Sequence, residues 1–429
     1  MPDASAPSFY HAVTPTSTYD DILLFKFLNY FSQNASERTW TARLPSLISA
    51  KNAAAMKTAA RAVSLGFAAQ SIRDPAMAQA ACEYYGNSLR YHQASFRAAP
   101  GKTICKKKAI NALPVTVLLS YFEMIQATSA DAWLKHTLAA ERLFVLLGPD
   151  SLNDELLNHL YFIVRSNSAI RCFLLGTKTQ LLEKSWSEIP MTHPCGRGTA
   201  VFNNIVDLII WLSNSINVTT SSSDLDLMSY DLLTLQRTMD ELRRLWVVFG
   251  ESIGLDTSTH PLLSECSELS SSLMPSVDET AIAILPLALR NSSAALTGAF
   301  FHAAAIMLLT LIGRKQIYPS LSQMMYGNRG VALWDPTAPN DGGYSGALRH
   351  HSSEILALTE YLRTQKIGCA CLRMILPLAV VNRLSPSEHQ RLMAESIFRD
   401  WSTSDGLAGL ASFAFAEKES APAKVFLAR

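Results

Sequence analysis

The chain has no Cys-x-x-Cys spacing, no uninterrupted apolar run of about 18 residues and few charges for its length. Its seven cysteines, Cys82, Cys105, Cys172, Cys195, Cys266, Cys369 and Cys371, are scattered and odd in number. That pattern fits neither a disulfide framework nor a zinc-ligand set, and it points to reduced thiols in an intracellular, cytoplasmic protein. Without the long apolar run, no membrane span is expected; Ala294 to Ile312, interrupted by Ser, Thr, Gly and His, reads as a buried helix. Met1-Pro2-Asp3-Ala4-Ser5 has neither the basic start nor the apolar core of a signal peptide. No Gly-rich phosphate loop, nucleophile elbow, His-Glu-x-x-His or dinucleotide fingerprint occurs, and Gly196-Arg197-Gly198 is too short to count. Charged residues make up 17%, against about 25% in average soluble domains, and the formal net charge is +1. Nothing in that balance draws the chain towards nucleic acid.

What is present is core material: 48% of the 429 residues are hydrophobic. Length alone, at roughly 150 residues per domain, suggests two or three domains. No linker long enough to part them is visible, so residues 19–429 read as a single α-helical domain behind an N-terminal extension of residues 1–18. Apolar residues recur at helical spacing almost throughout: Ile22, Leu23, Leu24, Phe27, Leu28 and Phe31 behind Asp20-Asp21; Met56, Ala60, Val63 and Phe67; Leu156, Leu160 and Ile163 behind Asn153-Asp154-Glu155. Pro75 and Pro114 read as helix starts, and Ser223-Asp224 as the start of a helix through Trp246. Hairpin-like alternation is scarce, so the expected fold is all-α, a large helical bundle or stacked-helix array. Loops are expected at Gly101 to Lys108, at Ser215 to Ser223, and at Tyr326 to Arg349, where Trp334-Asp335-Pro336 and Asn340-Asp341-Gly342-Gly343 suggest a lid.

Chemistry must then sit on helices. In Phe202-Asn203-Asn204-Ile205-Val206-Asp207, Asp207 lies four residues from Asn203 and three from Asn204, so their oxygens can converge on one hard cation beside Trp211. An Asn-Asn pair is also a preferred helix cap, and Asp207 can equally satisfy an arginine. Asp224, Asp226, Asp231 and Asp240-Glu241 read as solvated surface paired with Arg237, Arg243 and Arg244. Adjacent His350 and His351 point apart on a helix, which argues against a shared metal. Lys106 to Lys108 read as a solvated loop or an anion-attracting rim.

A series of signposts runs through the first half: Trp40-Thr-Ala-Arg-Leu44-Pro45, Tyr84-Tyr85 with Leu89, Tyr121-Phe122-Glu123, Trp133 with His136, Leu146-Leu147-Gly148-Pro149, Arg165, and Trp186 with Pro190. It resembles the middle, all-helical homology region of fungal binuclear zinc-cluster transcription factors. Members of that family carry a six-cysteine cluster, a basic linker and a heptad segment ahead of this region, and here the first cysteine, Cys82, already lies within it.

A regulator-like body without the cluster, rich in Ala and Leu and carrying a Trp-containing loop, also resembles the atypical fungal sesquiterpene cyclases of tropolone-terpenoid pathways, the humulene synthases. Asp20-Asp21 and Asn203-Asn204-x-x-Asp207 both depart from the usual Asp-Asp-x-x-Asp motif, and nothing matches the second metal motif of class I cyclases. That resemblance implies magnesium held by Asn203, Asn204 and Asp207, and farnesyl diphosphate bound by Arg165, Arg290 and Arg349. It further implies a cavity wall from Ala281 to Leu289, shaped by Leu285 beside Pro286, with Trp211, Phe300, Phe301 and Trp334 as aromatic faces for a cation. The product would be a humulene-type hydrocarbon, and a homodimer is the candidate assembly. The competing expectation is a regulator-derived protein without a DNA-reading part, which binds a ligand or a protein partner and performs no catalysis.

Overall fold

The computed structural model describes residues 17–31, 40–51, 53–96, 105–129, 131–183, 186, 197–221, 232–255, 286–324, 344–365 and 368–403. Among these residues every regular element is helical and there is no strand, so the fold is all-α. The chain forms two compact units, each assembled from separated stretches. The first comprises Met1–Asn167, Ile367–Leu372 and Phe398–Ala416, and the second Ser168–Lys366, Arg373–Ile397 and Glu417–Arg429.

The first unit begins with α1 (Ser17–Phe31), a 3-10 turn at Trp40–Arg43, α2 (Leu44–Ser49), α3 (Ala54–Ile72) and α4 (Pro75–Phe96). It continues with α5 (Lys106–Ile125), α6 (Ala132–Leu147), a second 3-10 turn at Pro149–Asn153, and α7 (Glu155–Leu175), within which the boundary between units falls. α3 and α4 form a tight helical hairpin. Arg73 closes α3 in the left-handed conformation, with φ of 55°, and Asp74 then caps α4 by accepting from the N–H groups of Ala76 at 2.9 Å and Met77 at 3.1 Å. Pro75 follows the cap, where a missing N–H costs no helical bond. Buried Ala59, Ala62 and Ala69 on α3 keep that helix slender, and Ser88 on α4 donates to the Ala55 carbonyl at 2.9 Å. α5 is the central helix of the unit, buried from Ala112 to Ile125. Its Phe122 lies against Gly66 of α3, where an added Cβ would come within 3.3 Å of the ring. Phe27 and Phe31 of α1 stack at 4.6 Å and both meet Phe67 of α3 edge-on.

The second unit holds a 3-10 turn at Gln180–Leu182, α8 (Arg197–Ser221), α9 (Leu232–Ile253), another 3-10 turn at Leu287–Leu289, α10 (Ser292–Met324) and α11 (Tyr344–Thr364). α12 (Gly368–Leu384) and α13 (Glu388–Thr403) follow, the first beginning and the second ending in the first unit. α10 is apolar on every side and buried from Ala294 to Ile312, the signature of a helix enclosed by others. α8, α9 and α11 all pack on it. Three consecutive α10 residues divide these neighbours: Phe300 meets Phe202 of α8 at 4.9 Å, Phe301 stacks on Trp246 of α9 at 4.1 Å, and His302 bonds His351 of α11. Successive side chains leave a helix about 100° apart, so three in a row reach three partners. Asn291 caps α10 through the N–H groups of Ser293 and Ala294. By length and composition, α5 and the Ser292–Gly313 part of α10 would both suit a membrane span, yet 83% of the first window and all of the second are buried against the protein.

Several sequence expectations are corrected here. Pro114 lies inside α5, and the lysine run at 106–108 forms the first turn of that helix, because lysine is a good helix former and Cys105 already begins the turn. α8 continues through Ser221, so residues 215–221 of the expected loop are helical, and residues 222 and 223 lie outside the described residues. Residues 344–349 belong to α11, which shortens the expected lid; residues 325–343 lie outside the described residues. Pro286 is exposed and introduces a single 3-10 turn, so the helical wall expected up to Leu289 is not present from residue 286 onwards. The helix expected from Ser223-Asp224 is seen from Leu232, the intervening residues lying outside those described. Asp240 and Glu241 pair locally on the α9 surface with Arg243 and Arg244, as the sequence suggests.

Phe122→Ala should cost about 3–5 kcal/mol, because the ring is fully buried between Gly66 and Tyr85. Urea unfolding of parent and variant measures it.

Candidate functional site

The polar residues among the first-half signposts meet inside the first unit. Cys82, Tyr85, Leu89 and His92 recur at helical spacing along α4, and α5 and α6 bring Thr116, Glu123 and His136 to that face. The Tyr85 ring stacks on Phe122 at 4.4 Å, and its hydroxyl lies 2.8 Å from His136 Nε2. Glu123, beside it, accepts through its two carboxylate oxygens from the Thr128 backbone N–H at 2.8 Å and the Thr128 hydroxyl at 2.6 Å. Gln126 Nε2 donates to the Ala78 carbonyl at 3.2 Å and to Cys82 Sγ at 3.3 Å.

Thr116 donates to the Ala112 carbonyl at 3.0 Å, so at 3.1 Å it accepts from His92 Nε2–H. Burial pushes His92 down to about 4, and burial together with the nearby His92 pushes His136 down to about 4, so both imidazoles are neutral around pH 7. Burial, then the carboxylate of Glu123, raises the Tyr85 phenol, and the Cys82 thiol is raised by the same two causes. The result is a Tyr85–His136 hydrogen bond beside a Glu123 carboxylate held by Thr128, suited to fixing helix positions around neutral pH.

The other sequence candidates are spread out. On α8, Asn203 is buried, Asn204 is exposed and Asp207 is half-buried, so the three differ in their access to solvent. Among the described residues no group of three His, Cys, Asp or Glu side chains is arranged for a metal. Arg165 is buried in α7 with its guanidinium 5.2 Å above the Tyr161 ring, a packing role in the first unit. Arg290 is exposed just before the α10 cap. Arg349 is exposed on α11, 3.3 Å from the Ser345 hydroxyl, and its carbonyl accepts from Gln390 Nε2 at 2.9 Å. Phe300 and Phe301 are fully buried packing residues. Leu285 and Trp334 lie outside the described residues.

Sequence reasoning missed two arginines that close α7. Buried Arg171 donates to the Thr177 hydroxyl at 2.5 Å and the Lys178 carbonyl at 3.1 Å, and Arg383 donates to the Leu174 carbonyl at 3.2 Å while lying 5.6 Å over Phe173. A cation at a helix C-terminus was the available signal, but Arg383 is 209 positions from its acceptor.

The model of the fungal specific transcription factor domain matches residues 27–414. The chain belongs to that family. No curated protein and no solved structure matches it. Within the family body the signposts gain a physical role: the Tyr85–His136 bond ties α4 to α6, the Tyr85 ring stacks on Phe122 of α5, and Glu123 holds the turn after α5 through Thr128.

Tyr85→Phe should destabilise by about 1–3 kcal/mol, since it removes the hydroxyl that partners His136 Nε2. A thermal or urea melt tests it. The imidazoles of His92 and His136 should titrate by NMR with midpoints near 4. Because both are depressed below the ordinary histidine value of about 6.5, their contribution to stability is complete above that value and is lost as pH falls towards 4.

Proposed function

We propose that this chain is the regulatory body of a fungal transcription-factor-type protein, binding a ligand or a protein partner rather than reading DNA itself. The observation that carries the reading is the match of the transcription factor domain over residues 27–414, which includes most of both compact units. Two features support it. The sequence has no Cys-x-x-Cys pair for a zinc cluster and a net charge of only +1, so the chain offers little of the basic surface that phosphate contacts need. Tyr85, His136, Glu123 and Thr128 of the first unit are engaged in hydrogen bonds within the unit, which suits a scaffold that transmits occupancy more than a centre that turns over substrate.

The competing reading is a magnesium-dependent cyclase converting farnesyl diphosphate to a humulene-type hydrocarbon. Its geometric basis is the shared edge of α8 carrying Asn203 and Asp207 next to Trp211.

One pair of experiments separates the two. Fused to a heterologous DNA-binding domain, the chain should change transcription of a reporter carrying the cognate sites, and the purified protein should give no volatile product with farnesyl diphosphate and Mg²⁺. A silent reporter together with a hydrocarbon peak in gas chromatography and mass spectrometry would sink the regulatory reading. Mobility-shift titration at moderate salt should show no sequence-dependent DNA complex.

A further inference from the structure

In the core of the second unit, His302 of α10 and His351 of α11 meet Nδ1 to Nδ1 at 2.9 Å. Both side chains are fully enclosed, at 2% and 0% exposure. Such a contact requires one ring to present Nδ1–H and the other a bare Nδ1. Two neutral rings of opposite tautomer satisfy it. One added proton places a charge inside an apolar core, and a second removes the acceptor altogether. We infer that the His302–His351 hydrogen bond is an acid-sensitive latch, holding α11 on α10 while the pair is neutral and releasing it when the pair is protonated.

The surroundings favour release. The Trp246 indole of α9 lies edge-on to His302 at 5.5 Å, and His350 stands 6.4 Å from His302 and 5.4 Å from His351, between ring centres. Burial lowers His350, so the closest titratable neighbour also resists a charge. Glu354, one turn along α11, is raised to about 7 by burial, so acidification neutralises the carboxylate nearest along that helix. The remaining charged groups among the described side chains of these elements are Asp207 on α8; Arg237, Asp240, Glu241, Arg243, Arg244 and Glu251 on α9; Arg290 beside the 3-10 turn; and Arg349, Glu360 and Arg363 on α11. On α13, which meets α11 through the Gln390 bond to Ser353, Glu388 and His389 are exposed and Arg391 is tied to the Ser385 carbonyl at 2.8 Å.

The direction in pH follows from burial. The enclosed pair binds protons less readily than histidines of the unfolded chain, whose ordinary value is about 6.5. Stability from the latch is therefore complete above that value and is lost as pH falls below it. This inference stands apart from the regulatory reading, because it concerns only helix packing and does not need a ligand.

The test compares the parent with His302→Gln/His351→Gln, in which two amides can bond without titrating. After correction for intrinsic exchange, amide hydrogen exchange in α10 and α11 peptides of the parent should quicken several-fold between about pH 7 and about pH 5, while the double variant shows a smaller change. Acid acceleration of equal size in both proteins, or none in the parent, overturns the latch. Should the double variant not fold, nitrogen-15 NMR of the parent decides. One of the two rings must be the Nδ1–H tautomer at neutral pH, and both must stay neutral at about pH 6. Two Nε2–H tautomers, or ordinary titration near 6.5, overturns it equally.

Discussion

Enclosure of α10 is the constraint on which the second unit depends. A helix apolar around its whole circumference has no stable position except between other helices, so its burial requires α8, α9 and α11 to be present together. Phe300, Phe301 and His302 turn that general requirement into specific pairings with α8, α9 and α11. Two of the contacts are aromatic and tolerate sliding; the third is a hydrogen bond between fixed atoms and sets the register of α11.

The first unit solves the same problem differently. Its central helix, α5, is also buried through most of its length, but the helices around it are fixed by interior hydrogen bonds as well as by rings. A buried polar chain strengthens a fold only when every member is satisfied, and here Glu123, the group that would be most costly to strand, receives donors on both oxygens. The exposed ion pairs on α9 and α11 join residues three apart, and pairs of that kind contribute little. Specificity resides in the interior.

Much of this was legible in the sequence. Apolar spacing alone marks the helices, and Asp154-Glu155 begin α7 where expected, with Asp154 accepting from the Leu157 N–H. The signposts Tyr85, Glu123 and His136 were visible as a pattern, but their purpose was not, because Tyr85 and His136 are 51 positions apart and no local period relates them. His302 and His351 are separated by 49 positions for the same reason. Pro114 misled because proline usually opens a helix; the preceding lysines already continue one. Asn203, Asn204 and Asp207 showed spacing that permits a shared ligand, yet spacing around a helix does not say which side is covered, and burial divides them.

The chain leaves the first unit after Asn167 and returns to it only at Ile367 and again at Phe398. During synthesis, at roughly 5–20 residues per second, the first 167 residues emerge tens of seconds before Phe398 and the fully buried Trp401 exist. The N-terminal unit therefore cannot finish folding in the order in which it is made. Its completion waits for nearly the whole polypeptide, so a nascent or C-terminally truncated chain would carry an unfinished core, a state that quality-control proteases recognise by its exposed apolar surface.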